Sequence, residues 1–341
     1  MDLMSAAWMV RELGQPVSAL HLGKDGSIIA GGWDGMVKSW DGEGTTLWQV
    51  ECGDRVEAIL VVNDLTFLTS GLEVVCIENE KISWTHALEG SADMLCLHQD
   101  NLIATSSVYD IEHGDFMESA IWRFAFAGEL ISVDRMDERP WFVESNDSLI
   151  LGLGRPRCGI LLDEKHIELA TESPVTCGVT GRSMTLLGHA DGTISQSDGE
   201  LVSVEESTVD SIICAEYGFV SALENGNLIA RNADASPLWS ATGSTITCQT
   251  EGFDQTHWVG RWQTISGILE VRDSSGEIIT KMETSKPRVA VNESDRVGFG
   301  FDDGQILIWD KELFLRRKAA EKPAANSANS ALAARLRSLR K

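Results

Sequence analysis

The densest run of metal-ligating residue types is YDIEHGDF, where Asp110, Glu112, His113 and Asp115 fall on one short stretch. Three carboxylates and an imidazole form a donor set for a divalent cation. No second segment is implicated to close a coordination sphere, so a solvated acidic loop is the expected reading. His189 in GHADG and His257 in DQTHW stand alone and are expected to be turn or packing residues rather than bases. The stretch AGGWDGMVKSWDGEG, residues 30–44, is acidic and glycine-rich enough to raise calcium or phosphate chemistry. It holds no D-x-[DN]-x-[DN]-G run, and no GxxxxGK[ST] precedes a helix. GxSxG, HExxH and Cys/His signatures are absent too. The seven cysteines lack a CxxC and mostly sit in apolar runs such as MLCL and IICA. They read as small buried hydrophobes of a reducing compartment. The chemistry-bearing residues thus imply no cofactor, no resident metal and no catalytic residue.

The elements that would position these residues repeat along the chain. ALHLGKDGSIIAGG, from residue 19, has a layout of apolar run, polar break, apolar run and small residue. The layout recurs from residues 58, 94, 141, 176, 212, 247 and 289. Seven of the eight copies are 14 residues long, and TCQTEGFDQTHWVGRW is two longer. Each copy reads as two short strands joined by a turn. A third strand follows Asp34-Gly35, Asp191-Gly192, Asn225-Gly226 and Asp303-Gly304 in four of them. Such pairs suit two-residue hairpins in which both central residues take positive φ. A fourth strand often carries Trp, as in TTLWQV, KISWTHAL and SPLWSAT. Four strands per unit of 35 to 47 residues is the unit of a β-propeller blade.

With its WD pairs at Trp33-Asp34, Trp40-Asp41 and Trp309-Asp310, the chain resembles the WD40 superfamily. In DGEGTTLW it also resembles the PQQ-type propeller repeats with their Gly-x-x-x-Trp ending. Both resemblances imply an all-β propeller of four-stranded blades, eight by the count of copies, with seven the alternative. The N-terminal SAAWMVREL matches the Trp-bearing fourth strand and is expected to complete the last blade, removing an open edge. The competing donor of that strand is KELFLRRKA. The expected division is a propeller over 1–311 followed by a linker and basic tail over 312–341. Eight blades also match quinone-dependent dehydrogenases, which are exported, whereas MDLMSAAWMVRELGQ makes a poor secretory signal and points to the cytoplasm.

Charge separates the partners. The net charge is -24, and residues 311–341 hold nine Lys/Arg against two Glu, or +7, so residues 1–310 carry -24 - 7 = -31. A body this acidic repels nucleic acid and anionic membrane. Turns between second and third strands gather on one propeller face, which places Trp33, Arg155 and Arg157 there, with Arg261 and Trp262 of GRWQ and the 108–118 loop. Trp and Arg are favoured at binding hot spots. In the tail, KPAANSANS has linker composition, and SALAARLRSLRK puts Leu332, Leu336 and Leu339 on one helix face beside Arg335. That segment has three open destinations: the propeller itself, a groove on a partner, or an anionic surface such as nucleic acid. The expected function is a non-catalytic protein-interaction scaffold, with the tail as a docking segment. The alternative is an enzyme or small-ligand binder with a site at the channel mouth, marked by a deep pocket with converging ionisable groups.

Overall fold

The structure, a computed structural model, describes residues 2–181 and 185–321. Each sequence copy forms the two innermost strands of a four-stranded antiparallel blade, and eight blades close the ring. In blade 1, Val17–Leu22 lines the channel, followed outward by Ile28–Gly32, Met36–Trp40 and Thr46–Glu51. Each inner strand packs against the inner strands of the blades on either side. The second strand of blade 1 is wholly buried, whereas its outer strand alternates exposed and half-buried residues. The central strands are covered on both faces by neighbouring blades, which explains their continuous apolar runs. The buried apolar side chains fall into eight clusters, one at each blade-to-blade interface.

The last blade is closed by the N-terminus. Pro287–Glu293, Arg296–Phe301 and Gln305–Asp310 are joined on the outside by Met9–Glu12. The register runs from Met9↔Ile308 to Glu12↔Gln305. Before that strand, the one-turn helix α1 (Leu3–Ala6) buries Leu3 and Ala6 in the cluster between blades 7 and 8. The Trp309 indole N–H donates to the Leu3 carbonyl at 2.9 Å. KELFLRRKA does not compete for the edge. It belongs to helix α2 (Lys311–Glu321), whose Phe314 enters the same cluster. Lys, Glu, Leu, Arg and Ala are all strong helix formers, and no β-branched residue interrupts them. Asp310 Oδ1 accepts from the Leu313 N–H at 3.2 Å at the start of the helix. Leu332, Arg335, Leu336 and Leu339 lie outside the described residues.

The Asp-Gly and Asn-Gly turns differ from the expected two-residue hairpin. Only the glycines take positive φ: 89° at Gly35, 88° at Gly192, 86° at Gly226 and 89° at Gly304. The preceding Asp or Asn accepts instead from the backbone N–H two residues on, as Asp34 does from Met36 and Asp303 from Gln305, both at 3.1 Å. That side-chain bond fixes the turn without αL geometry at the acidic residue. A Cβ on Gly35 would also come within 2.3 Å of the Cys52 carbonyl oxygen in the loop leading to blade 2. The glycine is required by close approach as well as by φ.

Strand direction alternates, so the second-to-third turns and the blade-to-blade loops share one face, called upper here. The first-to-second and third-to-fourth turns, with both helices, occupy the lower face. The two extra residues of the seventh copy fall on that lower face, in the 3-10 turn Phe253–Gln255, and not beside Trp262. On the lower face, outer-strand tryptophans also staple blades together. The Trp84 indole donates to the Phe126 carbonyl and Trp239 to the Ser274 carbonyl of the following blade. The ring of Trp84 covers Gly128, and that of Trp239 covers Gly276.

Candidate partner-binding face

Trp33 stands in the second-to-third turn of blade 1, half exposed and flanked by two guanidinium groups. Arg55, from the loop into blade 2, lies 4.3 Å from its ring centroid, and Arg288, on the inner strand of blade 8, lies 4.8 Å away. Each arginine also meets a carboxylate, Arg55 with Glu57 at 2.8 Å and Arg288 with Asp302 at 2.6 Å. The stack recurs two blades on. Arg139 sits 3.8 Å from the Phe116 ring and 4.1 Å from Trp141, and pairs with Asp93 at 3.0 Å. A cation on an aromatic face contributes about 0.5–2 kcal/mol, increasing with desolvation. These are rigid anchors with large apolar area and donors to spare.

Between blades 2 and 4 the face deepens into a cavity of about 550 Å³ lined by Arg55, Glu57, Leu72, Asp93, Arg139 and Trp141. Burial pushes the Asp93 carboxyl up, against hydrogen bonds from Ser107 and Ser91 and the charge of Arg139. Burial likewise lowers the Arg139 guanidinium, while Asp93 supports its charge.

Beside the cavity rises the longest hairpin of the ring, Asn101–Asp110 with Asp115–Phe124. Its pairing with the inner strand of blade 3 ends at Ser91↔Ser107, and that with the outer strand begins at Ser119↔Met136. Its own ladder continues to Asp110↔Asp115. Residues 108–118 therefore stand clear of the sheet as a two-stranded ribbon carrying exposed Val108, Tyr109, Ile111 and Met117. Ile111 is 87% exposed. Tyr109 packs edge-on to Phe116, and Phe116 to Trp141, at centroid distances of 5.1 and 5.9 Å. The four weak metal-ligand candidates lie on this ribbon. Asp110 closes its tip, accepting from the N–H groups of Glu112 and His113 and bonding the His113 ring at 3.0 Å. Among the described residues no group of three or more His, Cys, Asp and Glu is arranged to hold a metal ion.

The face residues expected from sequence share the upper face without meeting at one point. Arg155 and Arg157 are exposed in the turn of blade 4, and Arg157 pairs with Glu138 at 3.3 Å, next to Arg139. Trp262 is half-buried on blade 7, 5.7 Å from the Lys286 ammonium. Arg261 is corrected: it is 2% exposed and turned between blades, donating to the Gly226 and Ser244 carbonyls. Sequence reasoning missed Arg55, Arg139 and Arg288. Each lies one to three positions ahead of a repeat copy, at 58, 141 and 289, so a recurrent arginine at the copy boundary was the available signal.

His189 and His257 are packed. His189 bonds Ser195 at 2.7 Å and the Ser173 carbonyl at 3.0 Å, and burial lowers its pKa. His257 bonds Gln249 at 2.9 Å; burial first, then the charges of Arg272 and Arg261, drives its pKa to about 3. Between the ordinary imidazole value of 6.5 and about 3, the unfolded chain takes up a proton that the folded ring refuses. This contribution to stability is complete above pH 6.5 and is lost as pH falls through that window, about 3 kcal/mol by pH 4. His257→Gln should therefore flatten the decline of melting temperature between pH 6.5 and 4, and an unchanged slope would place the proton uptake elsewhere.

No protein-family model matches the chain, and no curated protein matches it. Among solved structures it is similar to the computationally designed Ika8 protein, with a TM-score of 0.71 and 17% identity over 88% of this chain and 98% of that one. It is similar to BamB from Moraxella catarrhalis, with a TM-score of 0.70 and 14% identity over 89% of this chain and 97% of that one. Saccharomyces cerevisiae Sqt1 gives a TM-score of 0.72 and 11% identity over 89% of this chain and 98% of that one. At these identities the likeness is one of fold.

Proposed function

We propose that the protein is a non-catalytic interaction scaffold that holds a protein partner on its upper face. The observation that carries this reading is the ribbon of residues 108–118, which exposes Val108, Tyr109, Ile111 and Met117 and whose Phe116 packs against Trp141 and Arg139. Contiguous apolar patches of this kind mark interaction sites on soluble proteins. A closed ring supplies a rigid platform, and the acidic body argues against nucleic acid and anionic membrane. No helix among the described residues is long and apolar enough to cross a membrane. Seven unpaired cysteines support a reducing compartment, the cytoplasm. The basic C-terminal segment serves as a further docking element. Within the propeller superfamily, the WD pairs support kinship with WD40 repeats and the Gly-x-x-x-Trp ending of DGEGTTLW with PQQ-type repeats.

Trp33→Ala combined with Arg157→Ala should weaken partner capture by about 2 kcal/mol, roughly thirtyfold in Kd, with little change in melting temperature. Quantitative affinity capture beside a thermal melt checks this. Lost stability with intact capture would make both residues packing elements. A second reading, a small-ligand binder at the channel mouth, draws on ionisable groups from blades 2, 3 and 4 around one cavity. Arg55 and Arg139 are already engaged there by Glu57 and Asp93, which favours recognition over chemistry.

A further inference from the structure

The inner strand of blade 3 stops at Ser91, but the strand beside it runs on for three more residues, Val108 to Asp110. Among the described residues, no strand pairs with the backbone edge of those residues that faces the channel. The cavity adjoins the end of that inner strand, where Ser91, Ala92 and Asp93 are part of its lining. The outer edge of the ribbon is different. A register irregularity between Val108 and Tyr109 puts Met117 out of step on the second strand, and a bulge of this kind discourages pairing. One edge is blunted and the other is left as a template.

The surroundings select for charge. Around the ribbon and cavity stand Asp54, Glu112 and Asp115, none of which has an ion-pair partner of Lys or Arg among the described residues. Arg55 and Arg139 are each matched by a carboxylate. The local balance is thus acidic, like the -31 body, while Leu72 and Trp141 supply apolar wall on the cavity side.

We propose that this face takes an extended, lysine- or arginine-bearing peptide segment of a partner protein as an added strand. The segment prolongs the track of the blade 3 inner strand and pairs with the free edge of Val108–Asp110. Side chains on one side of the added strand enter the cavity against Leu72 and Trp141, and alternate cationic residues meet the acidic rim. Main-chain pairing gives such a mode its affinity, and pockets for alternate side chains give its specificity. This inference rests on the reading of the upper face as a partner surface.

Four fluorescein-labelled ten-residue probes test it by anisotropy: alternating Val-Lys, alternating Val-Glu, and two Val-Lys peptides, each N-methylated along a different edge. A ribbon-shortened protein, with residues 109–117 replaced by Asn-Gly, retains Val108 and Glu118 as the pair flanking a two-residue turn. Its melting temperature shows whether the ring is intact. The Val-Lys probe should bind the full protein at least tenfold tighter than the shortened one. The Val-Glu probe should not bind, and N-methylation of one edge, but not of the other, should abolish binding. Equal binding of Val-Lys to both proteins would reduce the effect to general attraction to an acidic body and overturn the proposal. Preference for Val-Glu, or indifference to N-methylation at either edge, would do the same. A failed peptide test with the Trp33/Arg157 capture result intact would leave the scaffold reading standing, with a folded partner rather than an added strand.

Discussion

Removal of residues 1–13 is expected to leave a chain that aggregates or melts far below the full-length protein. Three losses coincide. The outer strand Met9–Glu12 is gone, so the edge Gln305–Asp310, with sequence QILIWD, is left open. An exposed apolar edge strand is a template for association between copies. Leu3, Met9 and Leu13 are each buried, and each contributes about 1.5–3 kcal/mol by leaving water. The Trp309 indole N–H, wholly buried, loses its acceptor on Leu3, which adds the desolvation cost of an orphaned donor, about 1–3 kcal/mol. Together these reach the order of the whole stability of an ordinary domain, about 5–15 kcal/mol. Thermal melting and light scattering on the truncated chain check the result. A truncated protein that melts like the full-length one would mean that some other segment closes the ring.

The architecture was readable because its signals are periodic. Eight copies of a two-strand pattern specify eight blades, and the spacing of Trp8 to its copy, like that of Trp48 and Trp84 to theirs, identifies an N-terminal fourth strand. The turn geometry was half readable. Asp-Gly marks the right place, but the same dipeptide serves two turn types, and the bond from the Met36 N–H to the Asp34 carboxylate, which composition does not announce, sets the one observed. The face was read unevenly for a further reason. In a blade covered on both sides, adjacent residues of one strand point to two different interfaces, and each can be polar if it finds partners. Arg261 and Trp262 are neighbours in GRWQ, yet one is turned between blades and the other faces Lys286. Composition cannot separate them, because a buried arginine betrays itself only through the carbonyls and carboxylate it meets. The ribbon was visible as a long spacing between copies three and four, but its free edge depends on where its neighbours stop, which no single strand records.

That buried arginine leads to a large single-residue effect. Glu270 Oε2 lies 3.2 Å from Arg261 Nε and 2.7 Å from Arg272 Nη2, so one carboxylate is shared by two guanidinium groups. All three side chains are nearly excluded from water. Arg261 also donates to the Gly226 and Ser244 carbonyls at the boundary with blade 6, and Arg272 to the Gly276 carbonyl. Glu270→Gln keeps the shape and removes the charge. Two cations are then left buried with neutral acceptors, and breaking a buried pair in this way costs about 3–5 kcal/mol. Arg272→Met should cost less, because Glu270 retains Arg261 and the lost donor leaves only the Gly276 carbonyl in a turn at the lower face. Joining Arg272→Met to Glu270→Gln should recover part of the loss by removing one of the stranded cations. Denaturant unfolding of the three variants measures the order. If Glu270→Gln costs no more than Arg272→Met, the shared carboxylate is not what holds Arg261 between blades, and its carbonyl contacts suffice.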